Sequence, residues 1–315
     1  MKPQNTWMNG RIMPWEESRI HVNADALLRG ASVFEGIRAY RSAVADDLIL
    51  FRVHDHMRRL FGTSMRFLRM QLPYGPDDLV RGVIELLQAN QVREDAHVRV
   101  VAYFDEVEAG HEAEAEARAY ILAFPRPSSP KLTSGVRVTL SPWRRLNDSA
   151  MSPRVKASAN YLNSRVASTD ARTKGFDIPV MLNERGKVSE GPGQNVFLVR
   201  DGVVITPRTT DSILEGITRA TVIGLAAGLE LALEEREVDP TELYIADELF
   251  FVGTAMEVQP IVEIDGYQVS DGVMGPLTSR LQAAYFDLVR GRVDAPPGWH
   301  TSVYAQRVAV GFGAQ

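Results

Sequence analysis

The chain has 315 residues, of which 45% are hydrophobic and 24% are charged, and it carries a formal net charge of −5. This is the composition of an ordinary globular protein, and the acidic balance gives no reason to expect nucleic acid or an acidic membrane surface as a partner. The absence of cysteine excludes disulfides, zinc–thiolate sites and cysteine nucleophiles.

The length exceeds what one hydrophobic core usually supports, so we expect two domains. The proline-rich segment Pro125–Pro130 is the best linker candidate between them. No segment approaches the ~18 apolar residues of a membrane span, and the first residues lack the apolar stretch of a signal peptide. We therefore expect a cytoplasmic protein that handles small molecules or binds other proteins.

In chain order, the first half is predicted to form strands and two helices. The dipeptide Asn9-Gly10 is typical of two-residue turns and predicts an opening β-hairpin. Apolar residues at helical spacing predict a helix from Asp55 to Leu68 and a second helix capped by Asp77. Further strands are predicted at residues 31–40, 97–104 and 119–124, and an exposed acidic loop at 107–117.

The second half is also predicted to mix strands and helices. Gly175 is predicted to close a helix, and Asp201-Gly202 and Asp265-Gly266 are predicted to form hairpin turns. The predicted strands are 136–140, 179–182, 196–199, 203–206 and 249–252, and the predicted helices are 162–174, 216–228 and 277–289.

Lysine is scarce, which narrows the search for a nucleophilic amine. The chain has 35 lysines and arginines, and only five are lysines: Lys2, Lys131, Lys156, Lys174 and Lys187. Lys156 is predicted to lie in apolar surroundings at the end of a strand, where desolvation favours the neutral amine that attacks carbonyls. Taken alone, the segment is more typical of a surface cation before a helix.

Two glycine-threonine corners favour a phosphorylated ligand. Glu215–Arg219 opens a helix, whose free N–H groups attract anions, and Gly253–Ala255 offers similar donors after a strand. A further corner, Ser189–Asn195, places Glu190 beside two glycines but lacks the third glycine of a dinucleotide motif. Each corner alone is also typical of an ordinary turn or helix cap.

The strand at 97–104 places His97 and Arg99 on one face, which is either solvated or turned into a pocket. Gly36, inside the strand at 31–40, indicates close approach by a ligand or another backbone. The side chains of His54 and His56 would point to the same side only if both residues lay on a strand. They precede a predicted helix, so we predict no metal site. The chain also lacks the G-x-S-x-G motif of serine hydrolases.

Several of these segments together resemble a known family. They are Phe34–Arg38, His56–Leu60, Lys156–Leu162, Ser189–Gly191 with Asn195, Gly216–Arg219, and Ala246–Glu248 through Gly253–Ala255. In this order they resemble the fold-type IV, or class IV, pyridoxal-phosphate aminotransferases, and the branched-chain amino-acid aminotransferases are the nearest match. The resemblance extends from about Trp7 to about Leu288 and is highly specific as a set.

The resemblance implies pyridoxal phosphate as cofactor and transamination as activity. Lys156 would attach to the cofactor and then move a proton between the substrate Cα and the cofactor's C4′ carbon. Glu190 would keep the pyridine nitrogen protonated, and Tyr161 would hydrogen-bond the phenolic oxygen. The other implied cofactor-binding residues, which include the phosphate ligands, are Arg59, Asn195, Ile217, Thr218 and Thr254.

The resemblance also implies a substrate site. Arg99 would bind the distal carboxylate of glutamate as amino donor, and the backbone at Thr254 and Ala255 would bind the α-carboxylate. The side-chain pocket would be lined by Phe34, Gly36, Arg38 and His97. A loop of a second subunit completes the pocket in this family, so a homodimer or higher homo-oligomer is implied.

The implied fold is of the α/β (α+β) class, that of fold-type IV pyridoxal-phosphate enzymes. A smaller N-terminal α/β domain would cover residues 1–125. An interdomain loop would cover residues 126–134, and a larger cofactor-binding domain with a barrel-like sheet would cover residues 135–315.

Departures from the family pattern bear on the substrate. The branched-chain enzymes usually carry an aromatic residue in place of His97, a His-Tyr pair in place of Leu28-Arg29, and a tyrosine in the interdomain loop. The acidic loop also lacks the family's glycine-rich form. The aromatic wall is therefore thinner and the pocket more polar, which suggests an acceptor larger or more polar than the 2-oxo acids of Leu, Ile and Val.

Alternatives exist within this fold and outside it. They include a D-amino-acid aminotransferase, an (R)-amine transaminase and an aminodeoxychorismate lyase, but Phe34–Arg38 together with Arg99 favours the branched-chain type. A catalytically silent protein that binds a phosphorylated ligand is the alternative of another class. Such a protein is expected to have lost Lys156 or Glu190, and both are present.

Overall fold

The computed structural model describes residues 3–105 and 115–304, which form two main β-sheets with helices packed against them. The strands β1 to β17 are Asn5–Met8, Arg11–Pro14, Ser32–Arg41, Leu48–Phe51, Met70–Gln71, Ala96–Tyr103, Ala115–Glu116, Arg118–Pro125, Val136–Leu140, Ile178–Val180, Asn195–Arg200, Val203–Thr206, Leu233–Glu235, Glu248–Gly253, Glu257–Ile264, Tyr267–Gln268 and His300–Ser302. The helices α1 to α8 are Asp25–Leu28, Val53–Arg59, Arg66–Leu68, Pro76–Ala89, Lys131–Ser134, Asn160–Thr173, Ile217–Gly228 and Pro276–Val289.

The first sheet has seven strands in the order β17-β4-β3-β6-β8-β1-β2, and all its neighbours pair antiparallel. The predicted hairpin is confirmed, with Asn9 and Gly10 at φ of 49° and 88° between β1 and β2. The last strand, β17, returns to this sheet and pairs with β4. Residues 107–114 of the predicted acidic loop lie outside the described part of the chain.

One face of the first sheet is covered by α2 and α4. A π-helical segment, Leu60–Met65, joins α2 to α3, so the helix predicted to begin at Asp55 is one helical stretch from Val53 to Leu68. The predicted cap of α4 is wrong: Gly75 is the N-cap, because the Asp78 carboxylate accepts a 2.7 Å hydrogen bond from the Gly75 N–H.

The second sheet runs in the order β10-β9-β15-β14-β11-β12-β13, with β16 paired to β15, and it combines parallel and antiparallel neighbours. One apolar cluster on it includes residues such as Val138, Leu198 and Phe251. A second cluster packs α7 and α8 against residues such as Phe197 and Phe250.

The two sheets meet across the outer face of β3. Tyr40 and Phe51 of the first sheet belong to the same buried cluster as Phe197 and Tyr285, and the Tyr40 and Tyr285 hydroxyls lie 3.2 Å apart. Alternate residues of β3 thus face the helices on one side and the second sheet on the other. Within the described residues, none of the helices has the length and apolar character needed to cross a membrane.

Candidate active site

A cavity of about 500 Å³ lies between the two sheets. Its wall combines the outer face of β3 and β6, the segment before α6, the corner before β11, the N-terminus of α7 and the corner after β14. Thirteen of the predicted site residues line it: Phe34, Gly36, Arg59, His97, Arg99, Lys156, Tyr161, Glu190, Asn195, Ile217, Thr218, Thr254 and Ala255. Segments that are far apart in the sequence therefore converge on one space.

Lys156 lies in an irregular segment between β9 and α6, so its predicted position at the end of a strand is wrong. The segment is fixed against β3 instead, because the Phe34 N–H donates to the Lys156 carbonyl at 3.0 Å. The Lys156 N–H donates to Ser64 Oγ at 3.1 Å. These backbone contacts hold the side chain in the cavity, where Nζ lies 2.7 Å from the Tyr161 hydroxyl.

The other described lysines differ from Lys156 in their surroundings. Lys131, Lys174 and Lys187 form ion pairs with carboxylates near the surface, with Asp177, Asp170 and Asp239 respectively. In residues 3–105 and 115–304, no carboxylate lies within ion-pair distance of Lys156 Nζ. Its neighbours are aromatic, with the ring centroids of Phe34 and Tyr161 at 5.0 and 5.2 Å from Nζ. The surface-cation interpretation does not fit this geometry.

Glu190 is a buried residue in the wall of the cavity. Arg145 Nη2 lies 2.8 Å from its Oε1, and Oε2 accepts hydrogen bonds from Asn195 Nδ2 at 2.9 Å and from the Leu214 N–H at 3.2 Å. Burial raises the pKa of Glu190, and the charge of Arg145 acts in the opposite direction. Arg145 was not predicted from the sequence. It follows Arg144, and nothing in two adjacent arginines indicates that one of them pairs with a buried carboxylate.

The N-terminus of α7 forms an anion-binding corner. A side chain at Gly216 would collide with Asn195 Oδ1, so glycine allows the helix to begin beside the Glu190 corner. The free N–H groups at Ile217 and Thr218 line the cavity. Arg59 extends the corner, and its Nη1 donates to the Glu215 carbonyl at 2.8 Å.

Glu35 is fully buried and fixes the guanidinium of Arg59 through hydrogen bonds. Its carboxylate accepts bonds of 2.7 and 2.6 Å from Arg59 Nε and Nη2, and His56 Nδ1 lies at 2.7 Å. Burial opposes ionisation of Glu35, but the charge and hydrogen bonds of Arg59 outweigh it and lower the pKa of Glu35 to about 2. From the sequence, strand alternation indicates only that Glu35 points to the face opposite Gly36. It does not show that the partners of Glu35 are Arg59 and His56 of a helix.

We expect Glu35→Gln to lower the free energy of unfolding by about 3 kcal/mol at pH 7, because Arg59 stays buried without its carboxylate. The folded-state pKa lies below the ordinary value of 4.5, so this stabilisation is complete above pH 4.5 and is lost as the pH falls toward 2. Urea unfolding at pH 7, 5, 4 and 3 measures it. The matched control is Glu94→Gln at an exposed ion pair with Arg41, for which we expect a change below about 1 kcal/mol. Equal effects at both sites would contradict the prediction.

The outer face of β6 is turned into the cavity. His97, Arg99 and Val101 line it, while Val98 belongs to the core under the helices. Gly36 was predicted to be in close contact with a ligand or another backbone. The close contact in the structure is with the His97 side chain, because a Cβ at position 36 would lie 2.8 Å from Cε1 of His97. Burial, followed by the nearby charges of Arg126 and Arg99, lowers the pKa of His97 to about 3, so its ring is neutral at pH 7.

Arg38 does not line the cavity, and its predicted place in the side-chain pocket is corrected. It lies farther along β3, under the segment that follows β8, and it is 1% exposed. Its Nη1 donates to the Arg126 carbonyl at 2.7 Å and its Nη2 to Glu257 Oε1 at 3.2 Å. Arg29 also lies outside the cavity, and its side chain is ion-paired with Asp25 at 2.5 Å.

The arrangement fits the chemical groups of pyridoxal phosphate. An amine can hold an aldehyde, a buried carboxylate opposite it can pair with a ring nitrogen, and a helix N-terminus with Arg59 can bind a phosphate. No group of three or more His, Asp or Glu in the described ranges could hold a metal ion. His56, from the pair considered in the sequence, contacts Glu35 instead.

Comparison with known proteins agrees with this geometry. A family model described as amino-transferase class IV matches residues 32–264. A probable branched-chain-amino-acid aminotransferase of Aquifex aeolicus is 38% identical over 302 residues, which are 95% of this chain and 96% of that protein.

Solved structures give the same result. The branched-chain aminotransferase of Thermoproteus uzoniensis with norvaline superposes with a TM-score of 0.90 at 40% identity, over 96% of this chain and 100% of that one. The PLP-form (holo-form) of the branched-chain amino acid aminotransferase from Thermobaculum terrenum has a TM-score of 0.90 at 39% identity, over 96% and 99% of the two chains.

Proposed function

The chain belongs to the class IV aminotransferase family and is a pyridoxal-phosphate-dependent aminotransferase, and we propose that it works as a branched-chain type enzyme with glutamate as amino donor. The observation that carries the proposal is the position of Lys156 Nζ, 2.7 Å from the Tyr161 hydroxyl, in the cavity that Glu190 also lines. An amine, a phenol and a buried carboxylate are the three groups that this chemistry needs around one ring.

Each group of the cofactor has a partner in the cavity. Lys156 would hold the aldehyde, Tyr161 the phenolic oxygen and Glu190 the pyridine nitrogen. Arg59, the Ile217 and Thr218 N–H groups and Thr254 would hold the phosphate, and Asn195 would keep Glu190 in place. When bound, pyridoxal phosphate accepts the electrons released when the substrate Cα loses its proton.

The residues of the chain then have distinct tasks. The Lys156 amine would take the proton from the substrate Cα and give it to the cofactor's C4′ carbon, since no other described lysine lines the cavity. Glu190 would keep a proton on the ring nitrogen of the bound cofactor, and Arg145 and Asn195 hold Glu190 in position. Glu35 orients Arg59 for the phosphate in the same way.

The substrate would bind on the side of β6. Arg99 has no carboxylate partner in the described residues, so its guanidinium is free to bind the distal carboxylate of glutamate. The backbone at Thr254 and Ala255 faces the same cavity and would bind the α-carboxylate. Phe34, Gly36 and His97 would contact the side chain.

We also propose a homodimer, in which a second subunit completes the pocket. Arg29 is exposed and outside the cavity of its own subunit, as expected of a residue that faces a neighbour.

The proposed division into domains is 1–125 and 135–315, with a connecting loop at 126–134. A cytoplasmic location is proposed as well, and the cysteine-free composition is consistent with it.

The absorption spectrum of the purified protein tests the proposal. We expect a coloured protein whose band shifts when glutamate is added and shifts back when a 2-oxo acid is added. Chiral analysis of the product then separates an L-amino acid from the D-amino acid of the alternative enzyme type. A colourless protein that does not respond to added pyridoxal phosphate would contradict the proposed function.

A further inference from the structure

The π-helical segment Leu60–Met65 changes which side chains of its helical stretch face the cavity. Within it, the Arg66 N–H donates to the Phe61 carbonyl, five residues earlier in the chain. In an α-helix, residues five apart point about 140° away from each other, because each turn takes 3.6 residues. A π-helical turn is wider, so residues five apart lie nearly above one another. Arg59 and Ser64 are five apart across this segment, and both side chains are directed toward the cavity side of the helix.

Ser64 is fully buried, and its Oγ accepts a 3.1 Å hydrogen bond from the Lys156 N–H. A serine inside a helix often bonds to a carbonyl of the preceding turn, but this bond joins residues 92 positions apart in the chain. Among the described residues, the Lys156 N–H has no other hydrogen-bond partner. Ser64 does not line the cavity, so its hydroxyl can act on a bound molecule only through Lys156.

The backbone around Lys156 is fixed at three points. The Val155 carbonyl accepts a 2.9 Å hydrogen bond from Asn160 Nδ2. The Lys156 carbonyl accepts a 3.0 Å bond from the Phe34 N–H on β3. The third point is the bond from the Lys156 N–H to Ser64. Of these three partners, only Ser64 belongs to the helical stretch beside the anion-binding corner.

We propose that Ser64 is a positioning residue that sets the place of Lys156 relative to Arg59. Pyridoxal phosphate carries its aldehyde and its phosphate on one rigid ring, so the amine and the anion-binding corner must stand at a matching separation. The π-helical turn connects both to one helical stretch. The Lys156 amine joins the aldehyde carbon with loss of one water molecule, and this step needs no oxidant or reductant. The proposal rests on the proposed function and adds a residue to the same site.

The test titrates the full-length apoprotein with pyridoxal phosphate and, separately, with pyridoxamine phosphate, which has no aldehyde and forms no covalent link. In Ser64→Ala the Lys156 N–H loses its partner, and its segment is expected to shift toward another acceptor. The covalent link then forms only if that shift is reversed. Pyridoxal phosphate should therefore bind about 5-fold to 50-fold more weakly than to the wild type, while the affinity for pyridoxamine phosphate stays unchanged.

Two further variants complete the experiment. Thr63→Ala is the matched control, because it removes the adjacent hydroxyl of the same π-helical segment, which makes no hydrogen bond to the lysine backbone in the described structure. It should bind both cofactor forms as the wild type does. In a Lys156→Ala background, adding Ser64→Ala should cause no further loss of affinity for pyridoxal phosphate, because the amine through which Ser64 acts is already absent.

Three results would overturn the proposal. They are an equal loss of affinity for both cofactor forms in Ser64→Ala, an unchanged affinity for pyridoxal phosphate, and a further loss in the Lys156→Ala background. Each of them can occur in a protein that binds pyridoxal phosphate, so the proposed function would remain intact. A wild-type protein that binds neither cofactor form would instead contradict the proposed function itself.

Discussion

Lys156→Ala is expected to reduce transamination by about 10⁴-fold or more, because it removes the amine that we propose both holds the cofactor and moves the Cα proton. None of the other described lysines lines the cavity, and each of them is ion-paired near the surface. No neighbouring amine can therefore replace Lys156. The anion-binding corner formed by Arg59 and the N-terminus of α7 remains intact, so the variant should still bind pyridoxal phosphate, but without a covalent link.

Two measurements distinguish this outcome from a folding defect. After borohydride reduction, mass spectrometry should show a permanent cofactor adduct on the wild type and none on Lys156→Ala. The control is Lys174→Ala, which removes a surface lysine paired with Asp170 and should keep both the adduct and the activity. An adduct or wild-type turnover in Lys156→Ala would mean that another amine performs the chemistry.

Local features of the sequence were predicted well because neighbouring residues determine them. The Asn9-Gly10 turn and the alternation along β6 depend on backbone preferences and side-chain period alone, and both are confirmed. Lys156 could be selected from composition, but its irregular backbone could not be predicted. Its conformation depends on bonds to Phe34 and Ser64, which are far away in the sequence.

The site residues that were not predicted from the sequence share this dependence on distant partners. The role of Arg145 becomes visible only when Glu190 is found 2.8 Å away. The position of Arg126 at the cavity depends on how the segment after β8 lies over β3. The family resemblance implied that Arg38 lines the pocket with Phe34 and Gly36, and the three residues do alternate along one face of β3. Neither the resemblance nor the alternation shows that the segment after β8 covers this part of the strand.

Glu190→Gln is expected to have two separable effects. Glutamine is neutral and cannot hold a proton on the pyridine nitrogen, so turnover should fall by roughly 10²-fold to 10⁴-fold. It also leaves Arg145 buried without its anion, since Arg145 is 7% exposed and its Nε and Nη1 already lack partners in the described structure. Loss of one member of a buried ion pair typically lowers the free energy of unfolding by about 3–5 kcal/mol.

The double variant Glu190→Gln with Arg145→Met separates stability from catalysis. Removing the second charge eliminates the unpaired guanidinium, so the free energy of unfolding should recover most of the loss, as replacement of whole buried ion pairs by apolar groups often does. Turnover should stay as low as in Glu190→Gln, because no anion faces the ring nitrogen. Urea unfolding of the holoenzymes and steady-state rates with glutamate measure the two effects. If turnover recovered along with stability, Glu190 would serve only to neutralise Arg145, and the proton on the ring nitrogen would need another source.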